Sequence, residues 1–127
     1  MKIEHIALWT KNIEKLRNFY ITYFQAVSGP KYYNMANKYV SYFLSFSDGA
    51  RIEIMSRPDI NNKENNPMNI GYSHFAFKVG SIENVNKLTE TLRTNEIIVL
   101  GEPRHTGDGY YESVILDPDG NKVELIA

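Results

Sequence analysis

His5-Ile6-Ala7-Leu8 opens one half of the chain and His74-Phe75-Ala76-Phe77 opens the other. Each is followed, after four intervening residues, by an Ile-Glu pair, Ile13-Glu14 and Ile82-Glu83, at an offset of 69 positions. A second repeat comes later in each half: Asp48-Gly49-Ala50-Arg51-Ile52-Glu53-Ile54 and Asp119-Gly120-Asn121-Lys122-Val123-Glu124-Leu125, 71 positions apart. Two unrelated patterns recurring in the same order point to a duplicated module, with a two-residue difference in one loop between them.

Periodicity gives both halves one layout. Residues 2–9 alternate in polarity and read as a strand. Asn12 is placed to cap a helix over 13–24, on which Ile13, Leu16, Tyr20 and Tyr23 share a face. Gly29-Pro30 interrupts a weaker candidate strand over 27–34. Strands over 39–46 and 50–56 flank the Asp48-Gly49 turn. In the second half a strand over 71–79 precedes a helix near 82–93, capped by Ser81, with Ile82, Val85, Leu88 and Leu92 on one face. Strands follow near 96–102, 110–117 and 121–126, the last two joined at Asp119-Gly120. The predicted fold class is α+β: two βαβββ modules, 1–56 and 71–127, forming a curved mixed sheet around a central cleft. Together they make a single domain over 1–127. The stretch 57–70, which includes Asn61, Asn62, Asn65 and Asn66, reads as a linker.

Composition fits this. In 127 residues, 43% hydrophobic and 23% charged content is that of one ordinary water-soluble domain. The nine Tyr, six Phe and one Trp supply the area that a small core needs. A net charge of −1 with no basic stripe argues against a nucleic-acid partner. With no cysteine there is neither a disulfide framework nor a thiolate metal site. No apolar run approaches a membrane span and no signal-peptide core is evident, so the expected location is the cytoplasm, away from the membrane.

Strand parity selects the candidate site. Side chains two apart share a face. Ile6 and Leu8, Phe75 and Phe77, Ile52 and Ile54, and Val123 and Leu125 take the helix side. His5, Glu53, His74 and Glu124 therefore project from the other face. A single strand histidine is more often a hydrogen-bonded bystander than a ligand. Two His and two Glu at duplicated positions with matching parity instead predict one divalent metal site. Imidazole and carboxylate ligands suit Ni, Zn, Co, Mn or Fe, and the absence of thiolates disfavours a purely structural zinc. An octahedral metal held by four such ligands keeps two adjacent positions for neighbouring substrate oxygens. It would stabilise an enediolate, and a displaced carboxylate would carry the proton. Trp9, Phe43, Met55 and Val114 share the same face by parity and are candidate substrate-pocket residues. His105, in a Gly-flanked loop, reads as a surface residue, and Tyr32 and Tyr33 read as packing residues.

With IEHIAL, DGARIEI, YSHFAF and DPDGNKVELI as its carriers, the chain resembles the vicinal-oxygen-chelate superfamily over essentially its whole length. That group includes glyoxalase I (lactoylglutathione lyase), methylmalonyl-CoA epimerase, extradiol dioxygenases, fosfomycin-resistance proteins and bleomycin-binding proteins. The His, Glu, His, Glu ligand set is closest to glyoxalase I. The resemblance implies a metal-dependent lyase or isomerase acting on an α-hydroxycarbonyl, the adduct of an oxoaldehyde with a thiol. It favours Glu124 as the proton-transferring residue, with Glu53 second. The alternatives are another metalloenzyme of the group, an epimerase or thiol transferase, or a resistance protein that binds a small molecule. Glyoxalase I enzymes commonly carry Arg four residues after the first ligand, where this chain has Trp9. The Asn usually found after the second ligand is missing from Ile54-Met55-Ser56-Arg57-Pro58. These departures argue against glutathione as the thiol. In small members of the group module one of one chain pairs with module two of another, which implies a homodimer with sites shared between chains.

Overall fold

The computed structural model describes residues 1–61 and 71–127. It divides into two compact units, Met1–Glu64 and Asn65–Ala127. Most of the expected linker, with Asn62, Asn65 and Asn66, lies outside the described residues.

In the first unit, β1 (His5–Trp9) leads into α1 (Ile13–Phe24), followed by β2 (Val27–Ser28), β3 (Tyr32–Asn34), β4 (Tyr39–Ser45) and β5 (Arg51–Ser56). The Asn12 side chain accepts from the Lys15 amide, filling an otherwise unmet donor of the first helical turn. Gln25, at φ 56°, ends the helix in the left-handed region. The order across the sheet is β1-β5-β4-β2, with β3 also pairing to β4. The expected 27–34 strand is therefore two short pieces. Pro30 has no amide hydrogen to give a ladder, and the break falls around Gly29-Pro30.

In the second unit, β6 (His74–Lys78) leads into α2 (Ile82–Thr94), β7 (Val99–His105), β8 (Tyr111–Leu116) and β9 (Lys122–Ile126), in the order β6-β9-β8-β7. Ser81 caps α2 by accepting from the Asn84 amide. The predicted strand over 96–102 begins instead at Val99. The chain first turns through Glu96, at φ 62°, while the Ile97 amide closes the helix end on the Leu92 carbonyl. The buried carboxylate of Asp117 accepts from the Asp119 and Asn121 amides and from the Asn121 side chain, which fixes the β8–β9 turn.

The sheets are mixed in the same way. First and last strands pair in parallel, β1 with β5 and β6 with β9; the β4–β5 and β8–β9 pairs are antiparallel. One helix covers one face of each sheet. In unit one Ile13, Leu16, Phe19 and Tyr20 pack in a buried core with Leu44, Ile52 and Ile54. Phe19 rather than Tyr23 completes the buried helical face; Tyr23 is half-buried at its margin. In unit two Val85 and Leu92 share the core with Ile115, Val123 and Leu125, while Ile82 lies outside it. Thr89, unexpected there, is buried because its hydroxyl bonds both the Val85 carbonyl and the Ser113 hydroxyl. Tyr32 and Tyr33, expected to pack, are exposed, since the three-residue strand β3 gives them no covering layer. No helix among the described residues is long and apolar enough to cross a membrane.

Replacing the fully buried Ile54 with Ala should cost about 2–5 kcal/mol, because the vacated volume cannot fully collapse. The same change at exposed Ile3 should stay within about 0.5 kcal/mol. Urea denaturation of the two variants checks the contrast.

Candidate metal centre

Both units repeat one geometry at their exposed sheet face. Ala7 stands opposite Glu53 in the β1–β5 ladder, and Ala76 stands opposite Glu124 in the β6–β9 ladder. Each histidine sits two residues before that alanine, on the same face, so its ring reaches diagonally across the small side chain. His5 Nε2 lies 3.8 Å from Glu53 Oε2, and His74 Nε2 lies 3.4 Å from Glu124 Oε2. The carboxylates are 15% and 19% exposed and the rings 40% and 44%, so the acids are set into the sheet while the rings stay accessible.

Neighbouring groups orient the rings. His5 Nδ1 contacts the Glu4 carboxylate at 2.5 Å, and His74 Nδ1 contacts the Ser73 hydroxyl at 3.3 Å. Glu4 also pairs with Arg51, and its carboxyl titrates below the usual range, first through the His5 hydrogen bond and then, against a burial penalty, through Arg51. In the tautomer in which Nδ1 donates to Glu4, the Nε2 of His5 would present a lone pair to a carboxylate oxygen. Two facing acceptors leave room for a proton or a cation between them. Ligands about 2.1 Å from a common metal at tetrahedral or octahedral angles lie roughly 3.0–3.4 Å apart. The second pair matches that spacing and the first is slightly wider. Imidazole nitrogen with carboxylate oxygen is also the donor set expected for the metals considered above. Each unit gathers two such donors, and among the described residues no group of three or more His, Asp or Glu forms a metal cage.

The two carboxylates differ in support. Glu53 Oε1 accepts a 2.7 Å hydrogen bond from the Tyr39 hydroxyl. Tyr110 holds the matching position before β8 and is exposed, and among the described residues Glu124 has no such donor. Tyr39, Glu4 and Ser73 were not singled out from the sequence. The adjacency of Glu4 and Ser73 to the two histidines was visible there, whereas the Tyr39 contact depends on tertiary structure.

The expected pocket residues lie on the same faces as the pairs. Phe43 is opposite Glu53, edge-on to His5 at 5.3 Å, with the Arg51 guanidinium 4.2 Å above its ring. Met55 lies between Trp9 and Ser41 in the ladders, and Trp9 is 48% exposed with its edge toward Tyr39. Val114 is opposite Glu124. His105 ends β7 as an exposed residue stacked edge-on to Tyr111, in line with its surface reading.

Comparison with known proteins agrees with this frame. The model of the Glyoxalase/Bleomycin resistance protein/Dioxygenase superfamily matches residues 2–125, and the chain belongs to that family. It is 26% identical to the uncharacterized protein YqjT of Bacillus subtilis, over 98% of both chains. Among solved structures it is similar to glyoxalase I of Zea mays, with a TM-score of 0.81 and 22% identity; the match covers 98% of this chain but only 44% of the maize enzyme. It is also similar to a glyoxalase family protein of Enterococcus faecalis, with a TM-score of 0.82, 24% identity and coverage of 99% and 97%. At these identities the solved structures speak for the fold.

The Tyr39 phenol titrates above its ordinary value, chiefly through burial and then through its bond to the Glu53 carboxylate, partly offset by Ser41. Tyr42 is raised as well, by burial and by Glu14. An ultraviolet titration should therefore show late-ionising tyrosines, and Tyr39→Phe should remove one of them. Raised phenol values favour the fold below the ordinary tyrosine range, an advantage lost as pH climbs through the folded-state value.

Proposed function

We propose that the chain is a divalent-metal-dependent lyase or isomerase of the glyoxalase I type, acting on the α-hydroxycarbonyl adduct of an oxoaldehyde and a thiol other than glutathione. The observation that carries this reading is the duplicated His–Glu pair at one register in each unit, with imidazole Nε2 facing carboxylate Oε2. His5, Glu53, His74 and Glu124 would hold the ion, and their donor chemistry suits Ni, Zn, Co, Mn or Fe. When bound, it would act as a Lewis acid toward two neighbouring substrate oxygens.

The protein's own groups divide the remaining tasks. Glu53, tied to the Tyr39 hydroxyl, is the carboxylate better suited to stay in place. Glu124, without a comparable donor among the described residues, is better suited to move and carry a proton between adjacent carbons. Glu4 and Ser73 hold the rings at Nδ1, an orienting contact of the kind that sharpens ligand geometry. Trp9, Phe43 and Met55 supply an apolar wall from the first unit, and Val114 contributes from the second. Trp9 gives no charge with which to grip a glutathione carboxylate, which supports a different thiol.

The assembly we propose is a C2 homodimer in which His5 and Glu53 of one chain complete a site with His74 and Glu124 of the other. Three measurements test the reading. His74→Ala should lower affinity for the metal on the order of 100-fold or more, since orienting partners alone are worth about 10–100-fold. Unchanged metal content in both His5→Ala and His74→Ala would overturn the ligand set. Turnover of methylglyoxal adducts should appear with one of a panel of thiols, at a level well above that with glutathione. Co-expressed His5→Ala and His74→Ala chains should form heterodimers with one intact site; the absence of any active heterodimer would overturn sharing between chains.

A further inference from the structure

The row of side chains next to the His–Glu pair differs sharply between the units. In the first unit the ladders align Trp9, Met55, Ser41 and Tyr32 across β1, β5, β4 and β3. In the second the corresponding row is Lys78, Ile126, Glu112 and Arg104 across β6, β9, β8 and β7. Cross-strand neighbours point to the same side of a sheet, so this charged row shares a face with Glu124 and Val114.

Arg104 is held there by several independent features. Its Nη2 donates to Glu112 Oε1 at 3.0 Å, and Nη1 donates to the Glu102 carbonyl at 3.3 Å. The Glu112 side chain is only 11% exposed, whereas that of Arg104 is 49% exposed. The register shifts on either side of Gly101 let the guanidinium fold back along its own strand. Gly101 makes room for it: a Cβ there would stand 3.0 Å from Arg104 Nη1 and 3.2 Å from Val114 Cγ2. The cation thus lies over Gly101, beside Val114, which stands directly opposite Glu124 in the ladder. Two of its five N–H groups are engaged by these bonds, and the remainder suit a carboxylate or phosphate oxygen.

We infer that Arg104, positioned by Glu112 and Gly101, is the specificity-determining residue that binds an anionic group on the thiol portion of the substrate. The assignment rests on the lyase reading above for the nature of that substrate. It moves anion recognition away from position 9, where Trp9 stands, to the second unit. Lys78 stands at the opposite edge of the same row, on β6, so Arg104 is the cation beside Val114. The substrate class is therefore an oxoaldehyde adduct of a small acidic thiol.

Two pairs of probes test this. The thioethers 3-(carboxymethylthio)propionate and (2-hydroxyethylthio)acetate share a carboxymethyl arm and differ in whether the other arm ends in a carboxylate or a neutral hydroxyl. Methylglyoxal adducts of 3-mercaptopropionate and 2-mercaptoethanol form the matching reactive pair. In calorimetric titration of the metal-loaded protein, the dianionic thioether should bind roughly 10-fold tighter than its neutral-armed counterpart, the scale of one charge-assisted contact. Arg104→Met should erase most of that ratio, Arg104→Lys should keep part of it, and Glu112→Gln should reduce it by loosening the guanidinium. The ratio of kcat/KM values for the two adducts should follow. A purely structural ion pair would lower stability and leave the ratio within about twofold, which would overturn the assignment. Should Arg104→Met not fold, the wild-type protein still decides: raising salt from about 0.05 to about 0.5 M should shrink the preference, and a salt-insensitive preference would overturn it. Preference without turnover of either adduct supports Arg104 and counts against the lyase reading alone. Turnover without preference supports the lyase reading and overturns the role of Arg104.

Discussion

A parallel strand pair cannot be closed by a hairpin, so in each unit the helix and the intervening strands form the crossover that brings the first strand beside the last. That pairing puts Ala7 beside Glu53 and Ala76 beside Glu124, with each histidine one pleat away. The alanines matter because a larger side chain would fill the diagonal between imidazole and carboxylate. The burial of Ile52, Ile54, Val123 and Leu125 under the helices fixes the opposite parity for both glutamates. A one-residue slip of β5 or β9 would send those apolar side chains outward and both acids into the core, so core and site are set by a single register.

With the frame repeated, differences between the two copies become informative. Tyr39 bonds Glu53, while its counterpart Tyr110 is exposed just outside β8 and does not reach Glu124. Glu4 braces His5 with a carboxylate that also holds Arg51, whereas Ser73 offers His74 a longer hydroxyl contact. The first copy is thus the more restrained. In the centre proposed between two chains, the first copy would supply the fixed half and the second the more adaptable half, which suits the proposed division between a carboxylate that holds position and one that handles a proton.

Much of this was legible before any coordinates, for identifiable reasons. Asn12 and Ser81 announce their helices because capping is local, and the apolar alternation around Glu53 and Glu124 declares which way they face because the pleat has a strict period of two. Less local features were missed. Thr89 is a core residue only because Ser113, on a distant strand, satisfies its hydroxyl. Phe19 rather than Tyr23 is buried because the sheet selects which part of a broad aromatic stripe it covers. The Tyr39–Glu53 bond joins two strands across a hairpin, and the sequence does not say which tyrosine reaches back. The displacement of β7 followed from a left-handed turn at Glu96, a residue type that gives little warning of positive φ.

On the roles proposed for them, the His–Glu pairs and the charged row of the second unit divide chemistry from selectivity. Parity and register constrain the His–Glu positions in both copies together, since moving either pair disturbs a packed core. The next row lies on the same face and in the same register, yet one copy carries Trp9 and Met55 where the other carries Lys78 and Ile126. The nearly buried Glu112 carboxylate is paired with Arg104, which keeps further donors toward solvent. The pair holds the guanidinium in a defined place on the edge strand β7. Charge placed this way can select a ligand without altering the residues that would hold the metal.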